Sequence, residues 1–372
     1  MSKKLFAAID VGTTTVAVSL LDEDFLILRK DGFLNPESKY GSDIISRITN
    51  SEKEDNLLKM QGMIISAIDK CLCKMLVDDL SAEDVICGII SANTTMASIL
   101  LGLDLKSLGE APFVSPFSEN TGICLPSGIK CFVLAGASAF IGGDAVAGAY
   151  YKFQQYDKKL NLLLMDLGTN GEMILRKGGE LYSISAACGP AFENSTRAVG
   201  VYGKTTLSAI AFLLKKGELS RTLKLTDDFV QNGRDVTIGG VKLHLTEKII
   251  RNIQLAVAAI YSSVIFVLDK AGLDKNEVDK VFISGGFGFY MSLSDAVTIG
   301  LIPECFMDKT EISGNTSLLG AEYLLSNCFD LDNNSLGFEE YDEFRKNIKL
   351  VQPGGDVNYE KLYVSSMTFE KR

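Results

Sequence analysis

Asp10 and Asp166 are the carboxylates whose neighbours point to chemistry. Asp10 closes the apolar run Leu5–Ile9 and is followed by Val11, Gly12 and the hydroxyls of Thr13, Thr14 and Thr15. A carboxylate beside a glycine turn suits a magnesium-bound phosphate chain. Backbone amides and hydroxyls hold the phosphate oxygens, and the carboxylate holds the hydrated cation. An ordinary hairpin with a polar turn accounts for the same residues taken alone. Asp166 repeats the plan: it follows the run Leu162–Met165 and precedes Leu167, Gly168, Thr169, Asn170, Gly171 and Glu172. Two such segments about one domain length apart imply a duplicated α/β unit with both turns facing one cleft.

The elements that must position these turns are strands and helices in alternation. Each aspartate sits where one β-branched or apolar strand turns back into another, which predicts a buried hairpin. A loop with Asn35, Pro36 and Gly41 follows the first hairpin, then a core helix over 57–76 and a strand over 85–90 that ends in Ser91, Ala92 and Asn93. Two stretches rich in small residues, Ala135–Ala149 and Gly314–Ala321, predict helices that approach closely at a crossing between domains. Asp235–Leu245 reads as a hairpin around Gly239 and Gly240, with His244 as a surface residue of a strand, and a long apolar-faced helix follows over 249–268. The strand Lys280–Ser284 leads into Gly285, Gly286, Phe287 and Gly288, where missing side chains leave room for a flat base. The expected division is a first domain over 1–152, a second over 153–330 and a polar C-terminal tail over 331–372.

Composition narrows the class. The chain has 372 residues, 47% of them hydrophobic, so two cores are expected. A net charge of −10 argues against binding nucleic acid or anionic membranes non-specifically, and leaves local binding of a phosphate chain through amides and a cation untouched. No run approaches the roughly 20 apolar residues of a membrane span. The first residues lead straight into a core strand, so a secretory signal is not expected. The eight cysteines form no Cys-x-x-Cys pair. They read as reduced thiols of a cytoplasmic protein, without an iron–sulfur cluster in this chain. Ala198–Thr205 nearly spells a P-loop, but no buried strand precedes it, and Lys204 is expected to be dispensable.

Together the two hairpins and the glycine turn resemble the ASKHA superfamily of sugar kinases, actins and heat-shock chaperone ATPases. Further stretches narrow the resemblance: Asn35-Pro36 with Tyr40-Gly41-x-Asp43, Asn93–Met96, Ala135–Gly148, Gly189–Glu193, Gln254–Ala256 and Gly314–Ala321. With these the chain resembles the ATPase portion of the reductive activators of corrinoid-dependent proteins. The resemblance implies duplicated actin/sugar-kinase-like (ribonuclease H-like) domains with a nucleotide cleft. It implies ATP and Mg²⁺ as ligands, Asp10 and Asp166 holding the cation, and Glu172 and Glu193 beside them as the catalytic carboxylates. Gly12, Thr13, Thr14 and Thr15, with Gly168, Thr169, Asn170 and Gly171, would hold phosphates. Gly285, Gly286, Phe287 and Gly288 would hold adenosine. The implied activity is ATP-driven return of a cob(II) corrinoid protein to cob(I). The family's iron–sulfur domain has no matching cysteine set here, so a separate low-potential donor would supply the electron. A small-molecule kinase and a nucleotide-binding regulator or scaffold are the alternatives on the same fold.

Overall fold

β1 (Leu5–Val11) and β7 (Leu162–Leu167) are apolar runs broken only by an aspartate near the C-terminal end. A strand covered on both faces and paired on both edges needs no polar alternation, and each of these lies inside its own six-stranded sheet. The computed structural model describes residues 3–53, 55–168, 170–188, 201–222, 224–288, 291–370 and 372. It divides into two units, Met1–Gln155 with Thr316–Ile348, and Tyr156–Asn315 with Lys349–Arg372.

In the first unit β1 pairs antiparallel with β2 (Thr15–Leu21), which pairs with β3 (Ile27–Leu34). On its other edge β1 runs parallel to β4 (Val85–Ala92), so Asp10 lies in register with Ser91. β5 (Thr121–Cys124) and β6 (Lys130–Val133) complete the sheet in the order β3-β2-β1-β4-β6-β5. The helix Asn56–Met75 lays Met60, Ile64, Ile68 and Leu72 into the core at helical spacing. Each such side chain contributes about 1.5–3 kcal/mol when fully buried.

The small-residue helices do pack closely. A Cβ on Gly320 would sit 2.4 Å from the Ala147 carbonyl oxygen, and one on Gly148 would sit 2.6 Å from Thr316 Oγ1. Both helices, Gly143–Gln154 and Thr316–Cys328, belong to the first unit. The expected crossing between domains is therefore a crossing inside one of them. The expected linear division differs from the observed units for the same reason, since residues 316–348 return to the first unit. The stretch read as a polar tail also has structure: Tyr341 is buried and donates its hydroxyl to the Ala135 carbonyl at 2.9 Å.

In the second unit β7 lies between β12 (Lys280–Ser284), parallel to it, and β8 (Gly171–Lys177), antiparallel. β9 (Glu180–Ala186) and β13 (Thr310–Gly314) flank these, and Val351 N–H bonds the Ser183 carbonyl at 2.8 Å to start a further edge. β10 (Arg234–Ile238) and β11 (Val241–Leu245) form the expected hairpin, and His244 lies exposed on it, 2.7 Å from Asp235. The helix Glu247–Ala271 is long and apolar enough by composition to span a membrane, contrary to the expectation that nothing here would be. Most of its apolar stretch is buried against the sheet of this unit, which identifies it as a core helix.

Candidate functional site

Each aspartate stands at the C-terminal end of a strand with a parallel neighbour, the end at which open α/β sheets hold ligands. Beyond Asp10 the chain turns tightly, with Gly12 N–H donating to the Thr15 carbonyl at 3.0 Å. Asp10 Oδ1 accepts the Ser317 hydroxyl at 2.7 Å, and Ser317 Oγ is also 2.9 Å from Ser91 Oγ. Asn93, one residue past β4, caps the helix Thr94–Leu100 by accepting Met96 N–H at 2.9 Å. Its Nδ2 donates to Thr13 Oγ1 at 3.2 Å. Thr13 is buried, Gly12 and Thr14 are half-buried, and Thr15 is exposed.

The sequence did not single out Asp144, which belongs to this cluster. It lies in the first turn of the helix Gly143–Gln154, and its Oδ1 accepts Ala145 N–H at 2.8 Å. Burial pushes its carboxyl up to about 7, and the charge of Asp10 adds to the rise. Two carboxylates that raise each other's cost of ionisation form a natural cation seat. A Cβ on Gly142 would meet the Asn93 Cα at 2.5 Å, so glycine lets the Asp144 turn close onto the Asn93 turn. The pair Gly142-Gly143 ahead of an acidic first turn was the available signal.

Arg47 and Glu37, also outside the expected set, lie fully buried beneath the Gly12–Thr15 turn as an ion pair at 3.1 Å. The loop from Asn35 to Gly41 supports that turn. Asn35 donates Nδ2 to the Gly12 carbonyl at 2.8 Å and caps the 3₁₀ turn Pro36–Tyr40.

The second unit brings its own residues together. Asp166 faces Glu172 directly across the β7–β8 pair and Ser284 across β7–β12. Like charges set opposite one another on a sheet repel, which a cation would relieve. Gly168 N–H donates to the Asn170 carbonyl at 2.9 Å, closing the second turn. A Cβ on Gly171 would meet Cys188 Sγ at 2.9 Å. Gly285–Gly288 forms one helical turn directly after β12. Gly285 has φ +85°, and a Cβ there would lie 2.4 Å from Asp166 Oδ1. No side chain fits where the two motifs meet, and Gly286 opens onto empty space. Ser284 Oγ, buried in register with Asp166, has no hydrogen-bond partner among the described residues. This set of carboxylates with a buried hydroxyl fits a hard cation that carries a phosphate chain.

Thr169 and Glu193 lie outside the described residues. The P-loop-like stretch enters the helix Val201–Lys215, and among the described residues the strand before it is β9, which pairs antiparallel with β8 and ends at Ala186. All eight cysteines are free thiols. Among the described residues no three histidine, cysteine or acidic side chains gather as a metal site.

Comparison with known proteins gives the family. The model of the RACo middle region matches residues 5–155, and that of the RACo C-terminal ASKHA domain matches residues 160–223 and 195–372. The corrinoid activation enzyme RamQ of Eubacterium limosum is 29% identical, over 86% of this chain and 64% of its own length. The [Co(II) methylated amine-specific corrinoid protein] reductase of Methanosarcina barkeri is 26% identical, over 62% of this chain and 51% of its own length. This chain thus spans between half and two thirds of these relatives. The solved structure of a reductive activator for corrinoid, iron-sulfur protein superposes with a TM-score of 0.81 at 24% identity. It covers 99% of this chain and 66% of that one, and the shared fold is the actin/sugar-kinase-like ASKHA fold. Matched by both regions along almost its whole length, the chain belongs to the RACo family of ASKHA-domain proteins.

Proposed function

We propose that this chain binds Mg–ATP and uses its hydrolysis to help return an inactive corrinoid protein from cob(II) to cob(I), the electron coming from a separate low-potential donor. The observation that carries this reading is the pair of Asp-x-Gly-Thr hairpins, one per unit, in a chain whose curated relatives are named for corrinoid activation and corrinoid protein reduction.

Asp10, with Asp144 beside it, and Asp166 would each offer carboxylate oxygens to a hydrated cation. When bound, magnesium supplies charge stabilisation at the phosphate oxygens. The Gly12–Thr15 and Gly168–Gly171 turns hold phosphates through amides and hydroxyls, and the turn Gly285–Gly288 holds adenosine. Glu172, opposite Asp166, orients the attacking water; Glu193 shares that role on sequence grounds. Such hydrolysis depends on positioning and charge stabilisation. The chain would help by binding the reducible state of the partner more tightly, with ATP shifting that preference. Eight unpaired thiols suit a reducing cytoplasm.

The test is phosphate release from Mg–ATP by the wild-type chain and by Asp10→Ala and Asp166→Ala. Each variant removes a group aimed at the cation, costing about 3 kcal/mol or more of transition-state stabilisation. Normal hydrolysis by both variants, with the fold intact, would overturn the site.

A further inference from the structure

The three carbonyls of the Gly12–Thr14 segment are all held by one neighbouring segment, residues 35–47. Asn35 donates Nδ2 to the Gly12 carbonyl and its own N–H to the Thr14 carbonyl, both at 2.8 Å. Between them, Arg47 Nη2 donates to the Thr13 carbonyl. In a trans peptide the carbonyl and the following N–H point in opposite directions. Holding the Gly12 and Thr13 carbonyls on the inner side therefore turns the Thr13 and Thr14 N–H groups outward. Successive amides facing one way make an anion-binding nest.

Arg47 is placed with little freedom. It rides on the helix Ile44–Ser51, whose N-cap Asp43 accepts Ser46 N–H at 2.8 Å. Its Nε donates to the Gly41 carbonyl at 3.0 Å, and Nη1 pairs with Glu37 at 3.1 Å. Glu37 Oε1, also buried, has no hydrogen-bond partner among the described residues. An apolar pair of similar volume in place of both Arg47 and Glu37 would cost little stability, because a buried ion pair seldom outdoes good packing. What an apolar residue lacks is a donor fixed under the Thr13 carbonyl.

We propose that Arg47, with Asn35, is a positioning residue that aims the Thr13 and Thr14 amides at the phosphates of the nucleotide. The assignment rests on the nucleotide reading above. Loss of Arg47 frees the Thr13–Thr14 peptide to rotate and weakens the grip on phosphate. The grip on adenosine, assigned to Gly285–Gly288, is left alone.

The experiment is calorimetric titration of the full chain with Mg–ATP and, separately, with adenosine. The variants are Arg47→Met, the double variant Glu37→Gln with Arg47→Met, and Ile64→Ala. The double variant leaves no lone buried charge, so it carries the test if the single one does not fold. Ile64→Ala is a core truncation on the helix Asn56–Met75, at a residue that lies in neither the Gly12–Thr15 turn nor the segment 35–47. Both Arg47 variants should weaken Mg–ATP binding about tenfold or more and leave adenosine binding as in the wild type. Ile64→Ala should leave both affinities unchanged. Equal Mg–ATP affinity in wild type and Arg47 variants, or parallel loss of ATP and adenosine, overturns the positioning role alone. Failure of the wild-type chain to bind Mg–ATP overturns the nucleotide reading and this role with it.

Discussion

Ser317 donates its hydroxyl to Asp10 Oδ1 at 2.7 Å across 307 positions of sequence. This bond fixes the carboxylate of the first strand from the helix Thr316–Cys328, which packs on the glycines and alanines of Gly143–Gln154. Asp144 starts that second helix, so the crossing sets the distance between the two carboxylates of the cluster.

Ser317→Ala should keep the fold and lower Mg–ATP hydrolysis about tenfold, the worth of one hydrogen bond to a charged group. Asp10→Ala should lose far more. Steady-state phosphate release from the two variants side by side checks the order. Activity of Ser317→Ala equal to wild type would mean that the hydroxyl does not orient Asp10.

Stability should depend on pH through Glu37. Burial raises its carboxyl from 4.5 to about 7 in the folded chain, while the charge of Arg47 pulls the other way. A carboxyl raised on folding contributes stability that is complete below the unfolded value and is lost as pH rises through the folded value. Wild type should therefore lose stability between roughly pH 4.5 and 7 relative to Glu37→Gln. Melting temperatures of the two proteins across that range test this. A melting temperature of wild type relative to Glu37→Gln that stays flat or rises with pH would mean that Arg47 outweighs burial.

Much of the architecture was legible because its cause is local. β1 and β7 are unbroken apolar runs that end in Asp-x-Gly, and only a doubly covered strand with a polar turn satisfies that pattern. The hairpin at Gly239 and Gly240 was legible in the same way: both have positive φ, +56° and +81°, as a two-residue turn requires. What escaped notice depends on distant packing. Nothing near Asp144 in sequence announces Asp10 as its neighbour. Arg47 and Glu37 carry no local mark of burial; only the fold brings them together under the first turn. Residues 316–348 cannot be placed in the first unit before Ser317 is seen on Asp10 and Tyr341 on Ala135.

Lys204 separates the hairpin reading from a P-loop. Lys204→Ala should bind Mg–ATP with the affinity of the wild type, because a P-loop is built on a parallel strand and the described strand before this stretch, β9, runs antiparallel to β8. Titration of the variant decides it. Loss of nucleotide binding in Lys204→Ala, with binding retained in Asp10→Ala and Asp166→Ala, would transfer the phosphate site to residues 198–205.

The most direct measurement follows the cobalt. The chain is mixed with Mg–ATP, a low-potential reductant and a candidate corrinoid protein from the same organism, and the visible spectrum is recorded. The account predicts conversion of the cob(II) spectrum to cob(I) that stops when either the nucleotide or this chain is left out, with ATP hydrolysis rising as the corrinoid protein is added. Absence of reduction with any such corrinoid protein, together with phosphorylation of a small hydroxylated metabolite, would contradict it and assign the chain to the kinases of this fold.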